Sequence, residues 1–185
     1  MNAEQIAKHG RRADGIVSAM MQHASAGSGQ RELTDVNTLL DEYVNLAYHG
    51  KRAQIEGFAC EIERDFDQAV GSVEMVPQEM GRVFQNLLSN AFDAVSGQEQ
   101  PIVRVETLQL ANAIEIRITD NGPGIRKNLL AKIFEPFFTT KPTGQGSTGL
   151  GLSLSYDIIT QGHGGTLEVE STEGEGATFT ITLPH

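Results

Sequence analysis

A chain of 185 residues, 39% of them hydrophobic, holds enough apolar material for one substantial domain with an appendage. Its 24 acidic and 14 basic residues give a formal charge of -10 with no concentrated basic patch, which argues against a nucleic-acid partner. The single cysteine, Cys60, excludes an internal disulfide and a cysteine-rich metal site, and no window reaches the apolar length of a spanning helix. The segment therefore reads as cytoplasmic and without membrane contact of its own, a membrane anchor elsewhere in a full-length protein being left open.

Residues 4–25 lack proline, and Ile6, Gly10, Ala13, Val17, Met20 and Ala24 recur in alternating steps of four and three. That is a heptad seam, and a helix carrying one needs a partner helix. No second long heptad segment follows, so the pattern points to a partner in another subunit or in sequence outside this chain; packing on the following domain is the alternative. His9 sits among Lys8, Arg11 and Arg12 and reads as an exposed bundle residue sooner than as a nucleophile. Small residues from Ala26 to Gln30 break the pattern. The expected division is 1–27 for the helix, 28–33 for a linker and 34–185 for the main domain.

In the main domain, Thr34-Asp35 has the character of a helix cap, and Val36, Leu39, Leu40, Tyr43, Val44, Leu46 and Ala47 follow at helical spacing to about Tyr48. Phe58 to Phe66 alternates as a strand does, and Gly71 to Val76 predicts a second. Pro77 then opens a helix from its first turn, and Ser96-Gly97 closes it. Ile102 to Leu110 and Ala113 to Thr119 predict a hairpin turning near Ala111-Asn112. Beyond it come a short helix near Lys127 to Ile133, a phenylalanine-rich segment, a glycine-rich loop, a helix from about Leu150 to Gln161, and strands at Gly165 to Glu170 and Ala177 to Leu183.

Three stretches carry chemistry. On the Pro77 helix, Asn86, Asn90 and Asp93 form a polar stripe opposite Met80, Val83, Phe84, Leu87, Leu88, Ala91, Phe92 and Val95. Such a stripe is commonly a solvated face, but this one lacks long charged side chains, and asparagine is a poor helix-interior residue. An amide oxygen is a neutral hard donor suited to magnesium already held by phosphates. The run Asp120-Asn121-Gly122-Pro123-Gly124-Ile125, taken alone, is a turn. Its functional reading is that Asp120 accepts a hydrogen bond from a base amino group while Gly122 and Gly124 let a flat ring approach the backbone. Finally, Gly144 to Gly151 is glycine-dense and leads into a helix, either a mobile loop ending in a cap or a phosphate cradle of bare N–H groups. It is not a Walker loop, since no Gly-Lys-Ser/Thr follows.

The linear order of these elements is more specific than any one of them. Asn-x-x-x-Asn on a helix, Asp-x-Gly-x-Gly, then Phe134-Glu135-Pro136-Phe137-Phe138-Thr139-Thr140-Lys141 and Gly149-Leu150-Gly151-Leu152 resemble the ATP-binding catalytic domain of sensor histidine kinases over roughly residues 34–185. The resemblance implies a two-layer α/β sandwich of the Bergerat type, its mixed sheet covered by helices on one face, with ATP and Mg2+ as cofactors. It implies that Asn90 ligates magnesium with Asn86 contributing to metal and phosphates. Asp120 would bind the adenine amino group in a pocket shaped by Gly122, Gly124 and Ile125. Residues from about Arg126 to Thr148 would form a lid anchored at its base by Phe134, Phe137 and Phe138, with Lys141 neutralising phosphate charge. Gly146, Thr148, Gly149, Leu150 and Gly151 would meet the phosphates, and Thr178 would lie beside the adenine.

The first helix resembles the second helix of the family's dimerisation and phosphoacceptor hairpin, through Ile6, His9, Gly10, Arg12, Ala13, Ile16 and Val17. The usual acceptor motif is missing, so the expectation is a C-terminal fragment whose acceptor histidine lies upstream of Met1, and whose full-length form is a homodimer that passes phosphate to a response-regulator receiver domain. Hydrolytic relatives carry a glutamate where Asn86 stands, and an amide cannot act as a general base, which favours phosphoryl transfer over hydrolysis. The alternatives are a gyrase-type ATPase, a non-catalytic nucleotide-sensing module and a serine kinase of the anti-sigma type.

Overall fold

A computed structural model describes residues 29–141 and 148–185. The predicted helix over 4–25, with His9, and the glycines Gly144 and Gly146 lie outside the described residues.

Two strands and a helix open the described chain. β1 (Glu32–Asp35) pairs antiparallel with β3 (Ser72–Met75), placing Glu32 opposite Met75. Glu32 and Leu33 therefore belong to a strand and not to the expected linker; four residues with one half-buried side chain carry too little alternation to be recognised in sequence. α1 (Val36–Gln54) starts as expected, the Asp35 carboxylate accepting from the Thr38 N–H at 2.7 Å. It runs about two turns past Tyr48, and these added turns carry Lys51.

The main sheet has the order β2-β4-β5-β7-β6, formed by β2 (Glu61–Phe66), β4 (Ile102–Gln109), β5 (Ala113–Asp120), β6 (Thr166–Thr172) and β7 (Gly176–Pro184). β2 runs parallel to β4, and every other pairing is antiparallel. A parallel neighbour needs a crossover, and β3 with α2 (Pro77–Val95) provides it. One face of the sheet, through Val103, Val105, Ile114, Ile116, Ile118, Phe179 and Ile181, packs into a single core with the apolar sides of α1 and α2. The opposite face carries Arg104, Arg117, Thr119, Thr178 and Thr180. The helices on one face and the mixed sheet form the expected two-layer sandwich.

α2 is central because its apolar residues, from Met80 through Phe84, Leu88 and Phe92 to Val95, recur every three or four positions and are fully buried. Pro77 supplies its first turn. α1 approaches closely at Gly81, where a Cβ would stand 2.1 Å from the Tyr43 hydroxyl. Beyond β5 the chain forms a single short turn of helix, α3 (Lys127–Leu130), and then α4 (Gly151–Asp157), which continues as a π-helical turn to Gly162. His163 ends it, buried, with its two ring nitrogens engaged by the backbone of Val76 and Ile158.

Candidate functional site

Asp120 ends β5 with its carboxylate buried, 6% exposed. Burial pushes the carboxyl above its ordinary range, opposed by hydrogen bonds from the N–H groups of Gly122 and Ala177. The Gly122 N–H reaches Oδ1 at 2.9 Å. A Cβ on Gly122 would lie 2.7 Å from that same oxygen and 2.8 Å from the Ala94 Cβ, so the turn lies directly on the last turn of α2. Gly124 has φ 69°, and a Cβ there would stand 2.2 Å from the Thr172 carbonyl oxygen. The next residue, Ile125, donates its N–H to Ser171 Oγ at 2.8 Å, and Ser171 donates to the Gly176 carbonyl at 2.6 Å. The glycine turn is thus bound on one side to α2 and on the other to the β6–β7 connection.

The asparagines occupy the preceding turns of α2. Asn86 Nδ2 donates to Ser155 Oγ at 2.9 Å, and a Cβ on Gly151 would fall 2.1 Å from Asn86 Oδ1. The first turn of α4 thus packs against the Asn86 amide, and only a glycine at 151 permits the approach. One turn on, Asn90 Oδ1 accepts from Lys141 Nζ at 3.1 Å. Asp93 is paired with the same Lys141 through Oδ2 and with Lys51 of α1 through Oδ1. Burial raises the Asp93 carboxyl, but the hydrogen bonds and charges of Lys141 and Lys51 outweigh it and hold it below the usual carboxylate range.

The described residues at the base of the expected lid divide by burial. Phe134 and Phe138 pack against the core, and the Phe134 ring lies 5.4 Å from the Tyr156 ring. Phe137 does not serve as an anchor: it is 51% exposed with φ 67°, a backbone turn that throws its ring outward. Gly149, φ 69°, lies against the Phe137 and Phe138 backbone, with Leu150 buried behind it and Thr148 half-buried beside it.

One expected residue belongs elsewhere. Thr178 pairs with Thr119 in the β5–β7 register, and their hydroxyls are 3.0 Å apart on the face of the sheet away from the helices. The strand alternates sides, so Ala177, opposite Asp120, is the residue that borders the carboxylate. Sequence reasoning also missed Lys51 and Ser155. Lys51 lies beyond Tyr48, where the apolar spacing of α1 fades, and Ser155 stands four residues after Gly151 on the same face of α4.

Several of the expected residues that are described lie along one side of α2. Along α2, Ala94 meets the Asp120 turn, Asn90 and Asp93 meet Lys141, and Asn86 meets the glycine start of α4. One wall thus presents, in order, a buried carboxylate with glycine backbone, an amide with an ammonium group, and an amide with bare helix-start backbone. These suit a base, a metal with its phosphates, and further phosphate.

Comparison with known proteins shows the family to which the chain is similar. Residues 75–185 match the family described as histidine kinase-, DNA gyrase B-, and HSP90-like ATPase. Sensor histidine kinase ZraS of Escherichia coli strain K12 is 32% identical over 184 residues, which is 98% of this chain and 37% of that protein. Signal transduction histidine-protein kinase AtoS of the same strain is 35% identical over 171 residues, 91% of this chain and 26% of that protein. The chain therefore spans between about a quarter and little more than a third of the length of these curated relatives. Among solved structures, the catalytic domain of histidine kinase ThkA superposes with TM-score 0.71 at 29% identity, covering 84% of this chain and 95% of that one. The mycobacterial sensor histidine kinase MprB superposes at 0.66 with 26% identity, covering 83% and 97%.

Proposed function

Because the chain belongs to the histidine kinase-, DNA gyrase B- and HSP90-like ATPase family, as an ATP-binding catalytic domain of the sensor histidine kinase kind, we propose that it holds Mg-ATP along α2 and donates the γ-phosphoryl to a histidine outside these residues, for relay to a response-regulator receiver domain. The observation that carries the reading is the amide wall of Asn86 and Asn90, set between the buried Asp120 and the start of α4. Asp120 would accept from the adenine amino group, with Gly122 and Gly124 leaving room for the ring. Asn86 and the Gly149–Gly151 backbone would face the phosphates, and Lys141 would neutralise their charge.

The donor set fits a magnesium ion. Asn90 Oδ1 is a hard neutral oxygen that already faces a cation, the Lys141 ammonium. Among the described residues no group of three or more His, Cys, Asp or Glu side chains could hold a metal, so its other ligands would be nucleotide oxygens and water. Asn86 is turned toward α4 by its bond to Ser155, which supports Asn90 as the principal metal residue. Bound magnesium would screen the phosphate oxygens and align the transferring group.

The wall also favours transfer over hydrolysis. Asn86 cannot take a proton from water, and Asp93 is committed to two lysines. Residues 1–27 would supply one helix of a dimerisation hairpin in a longer homodimeric protein.

Calorimetric titration with ATP, with and without magnesium, tests the reading first. Magnesium-dependent binding that weakens in Asn90→Ala is expected, and unchanged binding in that variant would remove the site assignment. Adding a separately expressed acceptor hairpin and γ-labelled ATP should then yield labelled phosphohistidine. Steady hydrolysis without label would favour the gyrase-type alternative, and binding with neither would favour a sensing module.

A further inference from the structure

The cluster of Lys51, Asp93, Asn90 and Lys141 gives Asp93 a role that its place on a polar stripe does not suggest. We infer that Asp93 is a positioning residue that holds the Lys141 ammonium against the Asn90 amide oxygen, the group assigned above to the metal, so that Asp93 governs how readily Lys141 turns from Asn90 to the phosphates. This rests on the nucleotide reading and concerns how that site is loaded.

Asn90 and Asp93 are three residues apart on α2 and share a face. Lys141 Nζ bonds to both, at 3.1 Å from Asn90 Oδ1 and to Asp93 through Oδ2. The other Asp93 oxygen is taken by Lys51, whose side chain is only 11% exposed, less than the 35% of Lys141. Each carboxylate oxygen therefore holds one ammonium group. Two cations against one anion leave a net positive charge on this stretch of the wall. A polyphosphate is drawn to that charge, and of the two lysines it is Lys141, more exposed and reached from outside α1 and α2, that is free to turn toward it. Lys51 is the fixed partner that keeps Asp93 neutralised when Lys141 leaves.

The arrangement predicts a characteristic sign pattern in one ratio, the affinity for ATP with magnesium divided by the affinity without it. In Asp93→Asn, Lys141 no longer has an ion pair to give up before it meets the phosphates, so metal-free ATP binds more tightly and the ratio falls by about threefold. In Lys51→Met, Asp93 has Lys141 as its only counter-ion and holds it harder, so the ratio rises. In Lys141→Met, Asn90 is free for the metal while metal-free ATP loses its cation, and the ratio rises further. Charge alone would also move Asp93→Asn and Lys51→Met in opposite directions, so the decisive comparison is Asp93→Asn made in the Lys141→Met background: the fall is largely lost there if Asp93 acts through Lys141, and is undiminished if it acts only as a charge.

The experiment is calorimetric titration of the whole chain, the three single variants and the two double variants in the Lys141→Met background with ATP, with magnesium or with EDTA, alongside thermal melts. Opposite shifts in Asp93→Asn and Lys51→Met, with the Asp93→Asn fall largely lost in Asp93→Asn/Lys141→Met, support the inference, and an undiminished fall in that double variant overturns it. Shifts of the same sign, or an unchanged ratio in folded Asp93→Asn, overturn it while leaving the nucleotide site standing. Failure of the unmodified chain to bind ATP under both conditions overturns the site itself. Should Asp93→Asn not fold, Lys51→Met made in the Lys141→Met background decides: its rise is largely lost there if Lys51 acts through Lys141, and an undiminished rise overturns the inference.

Discussion

Asn86 and Gly151 touch across two helices: a Cβ added at Gly151 would lie 2.1 Å from Asn86 Oδ1. The contact is reinforced by Ser155 Oγ, which accepts from Asn86 Nδ2 at 2.9 Å and donates to the Gly151 carbonyl at 2.9 Å. The start of α4 is therefore registered against the amide wall of α2 by a small ring of three residues. Gly151→Ala must push either the Asn86 amide or the α4 backbone aside, and overpacking of this kind costs about 1–3 kcal/mol. A loss in ATP affinity on the order of tenfold is expected by calorimetry, since the displaced groups are those proposed to meet phosphate. Ser155→Ala leaves the space unchanged and removes one hydrogen bond, so its effect on affinity should be clearly smaller. Equal effects in the two variants would mean that the close approach does not position the wall.

Asp120 yields a prediction in which stability and binding separate. Its carboxyl is raised by burial, so the folded chain holds the proton more tightly than the unfolded chain does. The stabilising contribution is full below the ordinary carboxylate value of 3.8 and is lost as pH climbs through the raised folded value. At neutral pH the buried charge is a burden, and Asp120→Asn removes the titration. The melting temperature of Asp120→Asn relative to the unmodified chain should therefore rise as pH climbs from 3.8 through the raised folded value and level off above it. Over the same comparison, ATP affinity at neutral pH should fall by about tenfold to a hundredfold, because a charge-assisted hydrogen bond to the adenine amino group is exchanged for an amide that also presents donors. A flat difference in melting temperature across this pH range would contradict the burial argument.

The parts of the site that sequence makes legible are those where one residue type answers to one local demand. Asn86 and Asn90 stand out because a helix interior disfavours them, and the Asp120 turn because Gly122 and Gly124 punctuate a strand end. What escapes detection depends on register or on distance along the chain. Thr178 is expected by the adenine, yet one step along β7 moves a side chain to the other face, and Ala177 borders Asp120. Lys51 and Asp93 are 42 residues apart, and no periodicity joins them. Phe137 sits among other phenylalanines, but its positive φ, unusual for a bulky residue, turns it outward. Local chemistry is readable; the pairing of distant surfaces is not.

Cys60 should behave as an inert thiol in the native chain. Burial, with a smaller contribution from the charge of Glu61, pushes it up from 9.0 to about 11, against a hydrogen bond from Val103. Its Sγ lies 3.3 Å from the Glu61 carbonyl oxygen, to which the thiol donates. So large a rise leaves about a hundredfold less thiolate than in the unfolded chain at any pH below both values, and the thiolate is the species that reacts. Iodoacetamide labelling followed by mass spectrometry at mildly alkaline pH should be about a hundredfold slower in buffer than in denaturant. Comparable rates would place Cys60 in a more open setting than the edge of β2 provides.

His163 supplies the last prediction, and the roles of its two ring nitrogens follow from its neighbours. The Val76 N–H can only donate, and it meets Nε2 at 3.1 Å; the Ile158 carbonyl can only accept, and it lies 2.9 Å from Nδ1. Nε2 thus accepts and Nδ1 donates, and the ring joins the start of α2 to the far end of the helix that begins at Gly151. In His163→Leu the buried Val76 N–H loses its acceptor, which costs about 1–3 kcal/mol and should lower the melting temperature by on the order of 5 °C. A generic packing defect would produce a similar fall, so the decisive measurement is amide hydrogen exchange. Protection should be lost first at Val76 and then along the opening turn of α2, while the β5–β7 ladder, which shares no hydrogen bond with the ring, keeps its protection. Exchange at Val76 that is unchanged by the substitution would show that another group holds this N–H, and the tie between the two helices would have to be sought elsewhere.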